Sequence, residues 1–169
     1  MTVGSIHAGT KHNIISDECR LQLTLRSLSP QVRKQLQDAV RRKALAAAAS
    51  AGAPEPTVEI SEGTPALFND PQLTKRLTTA LKKQFGDDKI KEGEAVMGGE
   101  DFGRFGSTGV PICMLRLGAV NQKRLDEFAA KHVPPSSLHS PLFYPDIEET
   151  LMMGVPAMVT CVTELLPRK

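Results

Sequence analysis

The stretch Cys19-Arg20-Leu21-Gln22-Leu23-Thr24-Leu25-Arg26-Ser27-Leu28-Ser29-Pro30 decides the fold. Leu21, Leu23 and Leu25 alternate with Gln22, Thr24 and Arg26, the period of two expected of a strand with one wet face. The pattern predicts a strand over Cys19–Leu28, with Arg26 pointing away from the core side. Ser29-Pro30 then reads as a helix start, with serine as N-cap and proline at the first helical position. A strand that passes directly into a helix marks a mixed α/β chain.

Upstream, Met1–His7 reads as a short strand closed by Gly9, and the polar Thr10–Asp17 as a hairpin-like connection. Downstream, Val32, Leu36, Val40 and Ala44 share one helix face. Arg33, Lys34, Arg41 and Arg42 lie on the other, a solvated face. The alanine run Ala46–Ala49 continues this helix until Gly52 and Pro54 stop it. Thr57–Ile60 is expected to be a further short strand. Asp70-Pro71 repeats the cap-and-proline start, Leu73, Leu77, Leu81 and Phe85 form an i, i+4 stripe, and Gly86 ends that helix.

Val110–Leu117 is an almost continuous apolar run, as expected of a buried parallel strand. Asn121–Ser137 is a long connection with a charged, helical middle and a Pro134-Pro135 stop. A last helix starts at Asp146, with Asp146 and Glu149 spaced as a capping box. Ile147, Leu151, Val155 and Met158 carry it on, and Pro156 should kink it. The order is strand–strand–helix–strand, then helix–strand–turn–strand–loop–helix, an α/β arrangement with a boundary near Asn69. The expected division is a first domain over 1–69 and a second over 70–169.

The 169 residues suit one large or two small domains, and 40% hydrophobic content is enough for a packed core. A net charge of +2 with 4% aromatic residues shows neither the basic patch nor the stacking side chains of a nucleic-acid surface. No run approaches the length of a membrane span, and no charged start precedes an apolar run as in a signal peptide. The 3 cysteines, Cys19, Cys113 and Cys161, form no CxxC pair. Reduced thiols in a cytoplasmic protein fit that usage best.

Three groups of residues could do chemistry. His139 lies in a loop ahead of the last helix, where α/β sheets build sites. No HxH, HxxxH or HExxH spacing joins it to His7, His12 or His132. In Met97-Gly98-Gly99-Glu100-Asp101-Phe102, Gly98 and Gly99 permit a tight turn and close approach to a ligand. Glu100 and Asp101 either cap a short helix or line a site rim. Asn13 and Arg26 are either a turn residue and a solvent-facing cation, or an amide and a guanidinium fork for a substrate carboxylate.

Taken in order, several segments resemble peptidase family M20, in the branch of hippurate hydrolases, N-acyl-amino-acid deacylases and auxin-conjugate hydrolases. They are Thr2-Val3-Gly4-Ser5-Ile6-His7-Ala8-Gly9, Lys11-His12-Asn13-Ile14-Ile15 and Leu25-Arg26. Next come Pro65 with Asn69-Asp70-Pro71, Gly98–Phe102, Val110-Pro111 and Leu117-Gly118. His139-Ser140-Pro141 with Phe143, and the Glu-rich helix start with Gly154, complete the series.

The resemblance implies an α+β lid of antiparallel strands with a helix, plus part of an α/β catalytic domain, from a dimeric amidohydrolase. It implies two divalent ions (zinc, manganese, cobalt or nickel) that polarise the amide carbonyl and lower the pKa of a bound water. By motif, His139 matches a metal ligand, and Asn13 and Arg26 match the lid residues that hold the substrate carboxylate. Gly98, Gly99, Glu100 and Asp101 match the loop beside the substrate. It also implies a small N-acyl amino acid or peptide-like substrate and a homodimer through the lid.

Two departures matter. The family's Asn-Val-Ile-Pro reads Asn13-Ile14-Ile15-Ser16, which loses a rigid turn residue. The family's Cys/His motif, Glu-Glu pair, further ligand histidine and lid histidine have no counterpart. The chain is therefore expected to cover less than half of a family member, to hold no complete catalytic set, to bind metal weakly or not at all, and to be inactive by itself. A non-catalytic dimerisation or carboxylate-binding module of the same descent is the alternative. An unrelated α/β binding domain is the third reading.

Overall fold

The computed structural model describes residues 1–166 and contains two strands and five helices among them. The fold class is mixed α/β, as the strand-to-helix pattern predicts. Two compact units form. The first comprises Met1–Phe68 with Glu94–Val110, and the second Asn69–Gly93 with the chain from Pro111 onward.

In the first unit, β1 (Thr2–Ala8) and β2 (Cys19–Thr24) pair antiparallel, from Ala8 opposite Cys19 to Thr2 opposite Thr24. Val3 faces Leu23 and Ser5 faces Gln22, so Gly4 is the extra residue of a β-bulge. The strand predicted to reach Leu28 ends at Thr24. Its partner's paired residues begin at Thr2, so Leu25 and the residues after it have no ladder to join. Thr57–Ile60 is not a strand either, because no neighbouring strand offers it hydrogen bonds. The apolar side of the hairpin stays open, with Val3, Ile6, Leu21 and Leu23 all exposed.

Helix α1 (Pro30–Ser50) starts as the sequence predicts, with Ser29 Oγ accepting from the Val32 amide. Leu36, Val40 and Ala44 are half-buried, whereas Val32 remains exposed. Helix α3 (Gly103–Gly106) lies against the chain at Ala66–Leu67. A Cβ at Gly103 would stand 3.2 Å from the Ala66 carbonyl oxygen, a tight contact that glycine avoids.

The second unit holds every buried apolar side chain described: Leu77, Leu81, Ile112 and Cys161. Helix α2 (Pro71–Phe85) packs on α5 (Ile147–Leu165) through the predicted leucine stripe. Asp70 caps α2 through a 2.8 Å bond from the Leu73 amide. Gly86 ends it at φ 92°, a conformation that L side chains rarely adopt. Leu73, Phe85, Ile90, Cys113 and Ala157 surround Leu77, Leu81 and Cys161.

The predicted buried strand Val110–Leu117 is absent. The segment has no strand beside it, and Leu115 and Leu117 are exposed. Its backbone is held instead at residues 69 and 70: Asn69 Nδ2 donates to the Met114 carbonyl at 3.0 Å, Asn69 Oδ1 accepts from the Met114 amide at 2.8 Å, and the Asp70 amide donates to the Ile112 carbonyl at 2.8 Å. Helix α4 (Gln122–Ala130) is the helical middle of the charged connection. It ends through His132 at φ 53°, with the Val133 amide reaching back to the Phe128 carbonyl. No described helix is long and apolar enough to cross a membrane.

Leu81 is 3% exposed in the middle of the α2–α5 contact. Leu81→Ala is expected to destabilise the second unit by about 2–5 kcal/mol. The exposed Val32→Ala is expected to shift stability by less than about 1 kcal/mol. Urea unfolding followed by circular dichroism, with amide exchange in α2, measures both.

Candidate functional site

Arg26 leaves the end of β2 and reaches a loop far along the chain. Its Nη1 donates to the Met97 carbonyl at 2.8 Å. A Cβ at Gly99 would lie 3.6 Å from the same nitrogen, so the guanidinium runs alongside the glycine loop. One donor is engaged and the others of the fork remain. The first unit thus brings Arg26, Gly98, Gly99, Glu100 and Asp101 together, and all but the half-buried Glu100 are exposed.

Glu100 has a local task. Its Oε1 accepts from the Phe102 amide at 2.8 Å, which tightens the turn into α3. The Asp101 carbonyl accepts from the Arg104 amide at 2.9 Å, and the Phe102 and Phe105 rings meet at 5.4 Å, so the loop is braced from within. Glu100 thus braces the turn ahead of α3 rather than capping the helix, which has no side-chain cap bond, and the exposed Asp101 makes none either.

Asn13 stands apart from Arg26. It occupies the turn in which the Ile14 amide donates to the Lys11 carbonyl, at the tip of the hairpin, while Arg26 follows the hairpin's other end. The ladder from Cys19 to Thr24 between them spans about 17 Å. Within one chain these two residues do not converge.

His139 lies in the second unit, exposed in a turn closed by the Ser140 amide on the Ser137 carbonyl. Among the described residues, no three His, Cys, Asp or Glu side chains gather closely enough to hold a metal ion. A single exposed imidazole falls short of the four or so donors that zinc takes. These side chains by themselves do not fit a two-ion centre.

A polar network that sequence reasoning missed holds the far end of the His139 loop. Arg124 Nη1 donates to Asp146 Oδ1 at 2.8 Å and to the Tyr144 carbonyl at 3.2 Å, and the guanidinium lies 3.8 Å over the Tyr144 ring. Asp146 Oδ2 accepts from the Asn121 amide at 2.7 Å, and the Asp146 amide donates to the Ala119 carbonyl. Asp146 makes no side-chain cap bond, so the predicted capping box with Glu149 does not form. The reason is competition, since its oxygens are taken by Asn121 and Arg124. Glu149 Oε1 instead accepts from the Asn121 amide side chain at 3.1 Å, while Asn121 Oδ1 caps α4. The visible signal was Asn121 as an N-cap three residues before Arg124.

The Asn121 amide and then the Arg124 side chain hold the Asp146 carboxyl below its ordinary value, outweighing its partial burial. Arg124 is raised, chiefly by its bond to Asp146. Burial, and then nearby Cys113, push the Cys161 thiol up.

The sequence profile of peptidase family M20/M25/M40 matches residues 4–140. An N-acetyldiaminopimelate deacetylase of Enterococcus faecalis is 33% identical over 94% of this chain and 38% of its own length. An uncharacterised hydrolase of Sinorhizobium fredii is 35% identical over 70% of this chain and 29% of its own. Thermostable carboxypeptidase 1 of Saccharolobus solfataricus is 32% identical over 73% of this chain and 30% of its own. The chain thus belongs to peptidase family M20/M25/M40. It spans 38% or less of the length of these three relatives.

A lowered carboxyl pKa stabilises the fold above the unfolded value, and that stability is lost as pH falls through the folded value. The advantage of the native chain over Asp146→Asn is expected to stay level from neutral pH down to about 4 and to shrink below it. Tyr144 is the single tyrosine and the chain has no tryptophan, so its fluorescence during unfolding reads this network locally.

Proposed function

We propose that this chain forms the substrate-recognition side of a metal-dependent amidohydrolase that cleaves the amide bond of N-acyl amino acids or peptide-like amides. The observation that carries the reading is the 2.8 Å bond from Arg26 to the Met97 carbonyl, which sets a guanidinium fork alongside Gly98-Gly99. A planar fork beside exposed glycine amides suits a carboxylate that accepts from both. Similarity to a chain named as a deacetylase and one named as a carboxypeptidase supports the amide bond as the target.

In this reading Arg26 binds and orients the carboxylate and the Gly98–Asp101 loop borders the scissile amide. His139 serves as one donor to a divalent ion. Because no described cluster supplies the other donors, the chain by itself is proposed to bind substrate without turning it over.

A second reading, a dimerisation module of the same family, draws on the hairpin. Two strands leave both edges unpaired, and Val3, Ile6, Leu21 and Leu23 offer an exposed apolar face. Such a surface favours pairing with a second copy. Both readings keep the carboxylate receptor, and only the first expects it to serve catalysis.

Two outcomes follow. N-acetyl amino acids are expected to shift the amide resonances of Gly98 and Gly99, with affinity about tenfold or more weaker in Arg26→Ala. Unchanged affinity would remove Arg26 from the receptor. Incubated alone with such amides and added manganese or zinc, the chain is expected to release no amino acid, and steady turnover would overturn its assignment to recognition alone.

A further inference from the structure

We propose that the first unit carries a second, separate anion site, a cleft between α1 and α3 built around Arg33 and Arg104. Arg33 comes from the first turns of α1 and Arg104 from α3. They converge on successive carbonyls of one extended segment. Arg33 Nη1 donates to the Thr64 carbonyl at 3.1 Å, and Arg104 Nη2 donates to the Gly63 carbonyl at 3.3 Å.

Each guanidinium is tethered by one of its donors, which leaves the rest of the fork open. No described carboxylate comes within ion-pair distance of either arginine. Glu62 lines the cleft without pairing with them. Gln37, one turn beyond Arg33 on the same face of α1, adds a side-chain amide. The cleft measures about 440 Å³, the size of a small-molecule site.

Two tethered forks with spare donors define the ligand's chemistry. It is a small oxyanion, either a carboxylate or a phosphate group, accepting hydrogen bonds from both guanidinium edges. Glu62 cancels one of the two positive charges, so the cleft suits a compact anion rather than a long polyanion. Because α3 continues directly from the Gly98–Asp101 loop, an anion on Arg104 would also steady the end of that loop.

The test is titration of the whole chain by calorimetry with malonate, and separately with inorganic phosphate, against sodium chloride at equal ionic strength. Saturable binding of either is expected, and the preferred probe distinguishes a carboxylate from a phosphate ligand. Arg104→Gln is expected to weaken binding about tenfold, with Arg104→Lys in between because it keeps charge and loses the fork. Arg42→Gln, on the exposed face of α1, is expected to bind as the native chain does. Absence of saturable binding by both probes, or equal weakening in Arg42→Gln, would show that Arg33 and Arg104 only brace the Gly63–Thr64 backbone. No hydrolysis is measured, so the result stands apart from the amidohydrolase reading.

Discussion

The second unit depends on the seating of Leu77 and Leu81 against Cys161, the contact that joins α2 to α5. These helices lie far apart in sequence, and little else in the unit is deeply buried. The α5 helix is itself strongly apolar, yet Leu151, Met152, Val155, Met158 and Val159 on it are exposed. Among the described residues its cover is narrow: α2 along one strip, with Cys113 beside Cys161 and Leu117 against Gly154. An ion pair between Arg76 and Glu164 runs along the edge of that strip, where solvent screening keeps its contribution small. The hydrophobic contact therefore sets the geometry, and the polar contacts follow it.

The first unit is organised differently. It has no fully buried large side chain, and its long-range order comes from arginines that find main-chain carbonyls: Arg26 on Met97, Arg33 on Thr64 and Arg104 on Gly63. Guanidiniums suit this task because one fork can fix a backbone and still offer donors outward. Each candidate receptor in this unit is thus built from a group that also has a structural duty.

The helices were legible in the sequence because their signals are local. Ser29-Pro30, Asp70-Pro71, the leucine stripe and Gly86 each act within a turn or two, and the structure follows them closely. Strands were legible only where the partner lies nearby along the chain, as in β1 and β2. Val110–Leu117 and Thr57–Ile60 have strand composition, but a strand exists only with a hydrogen-bonding neighbour, and composition does not supply one. Of the candidate site, the motif Gly98–Phe102 and Arg26 were visible as pieces. Their junction at the Met97 carbonyl was not, because a main-chain acceptor leaves no mark in a sequence. The diversion of Asp146 from its cap was hidden for a related reason, since a carboxylate's choice among partners is settled by tertiary placement.

Asn69 illustrates how unevenly such contacts distribute evolutionary constraint. Its amide grips both the N–H and the C=O of residue 114, so it performs for that segment what a neighbouring strand would do. The grip takes hold of the backbone at position 114 and makes no demand on its side chain. At position 69 it does, because aspartate lacks the donor and leucine lacks both groups. Two residues in intimate contact thus carry different chemical demands, one on its side chain and the other on its backbone alone.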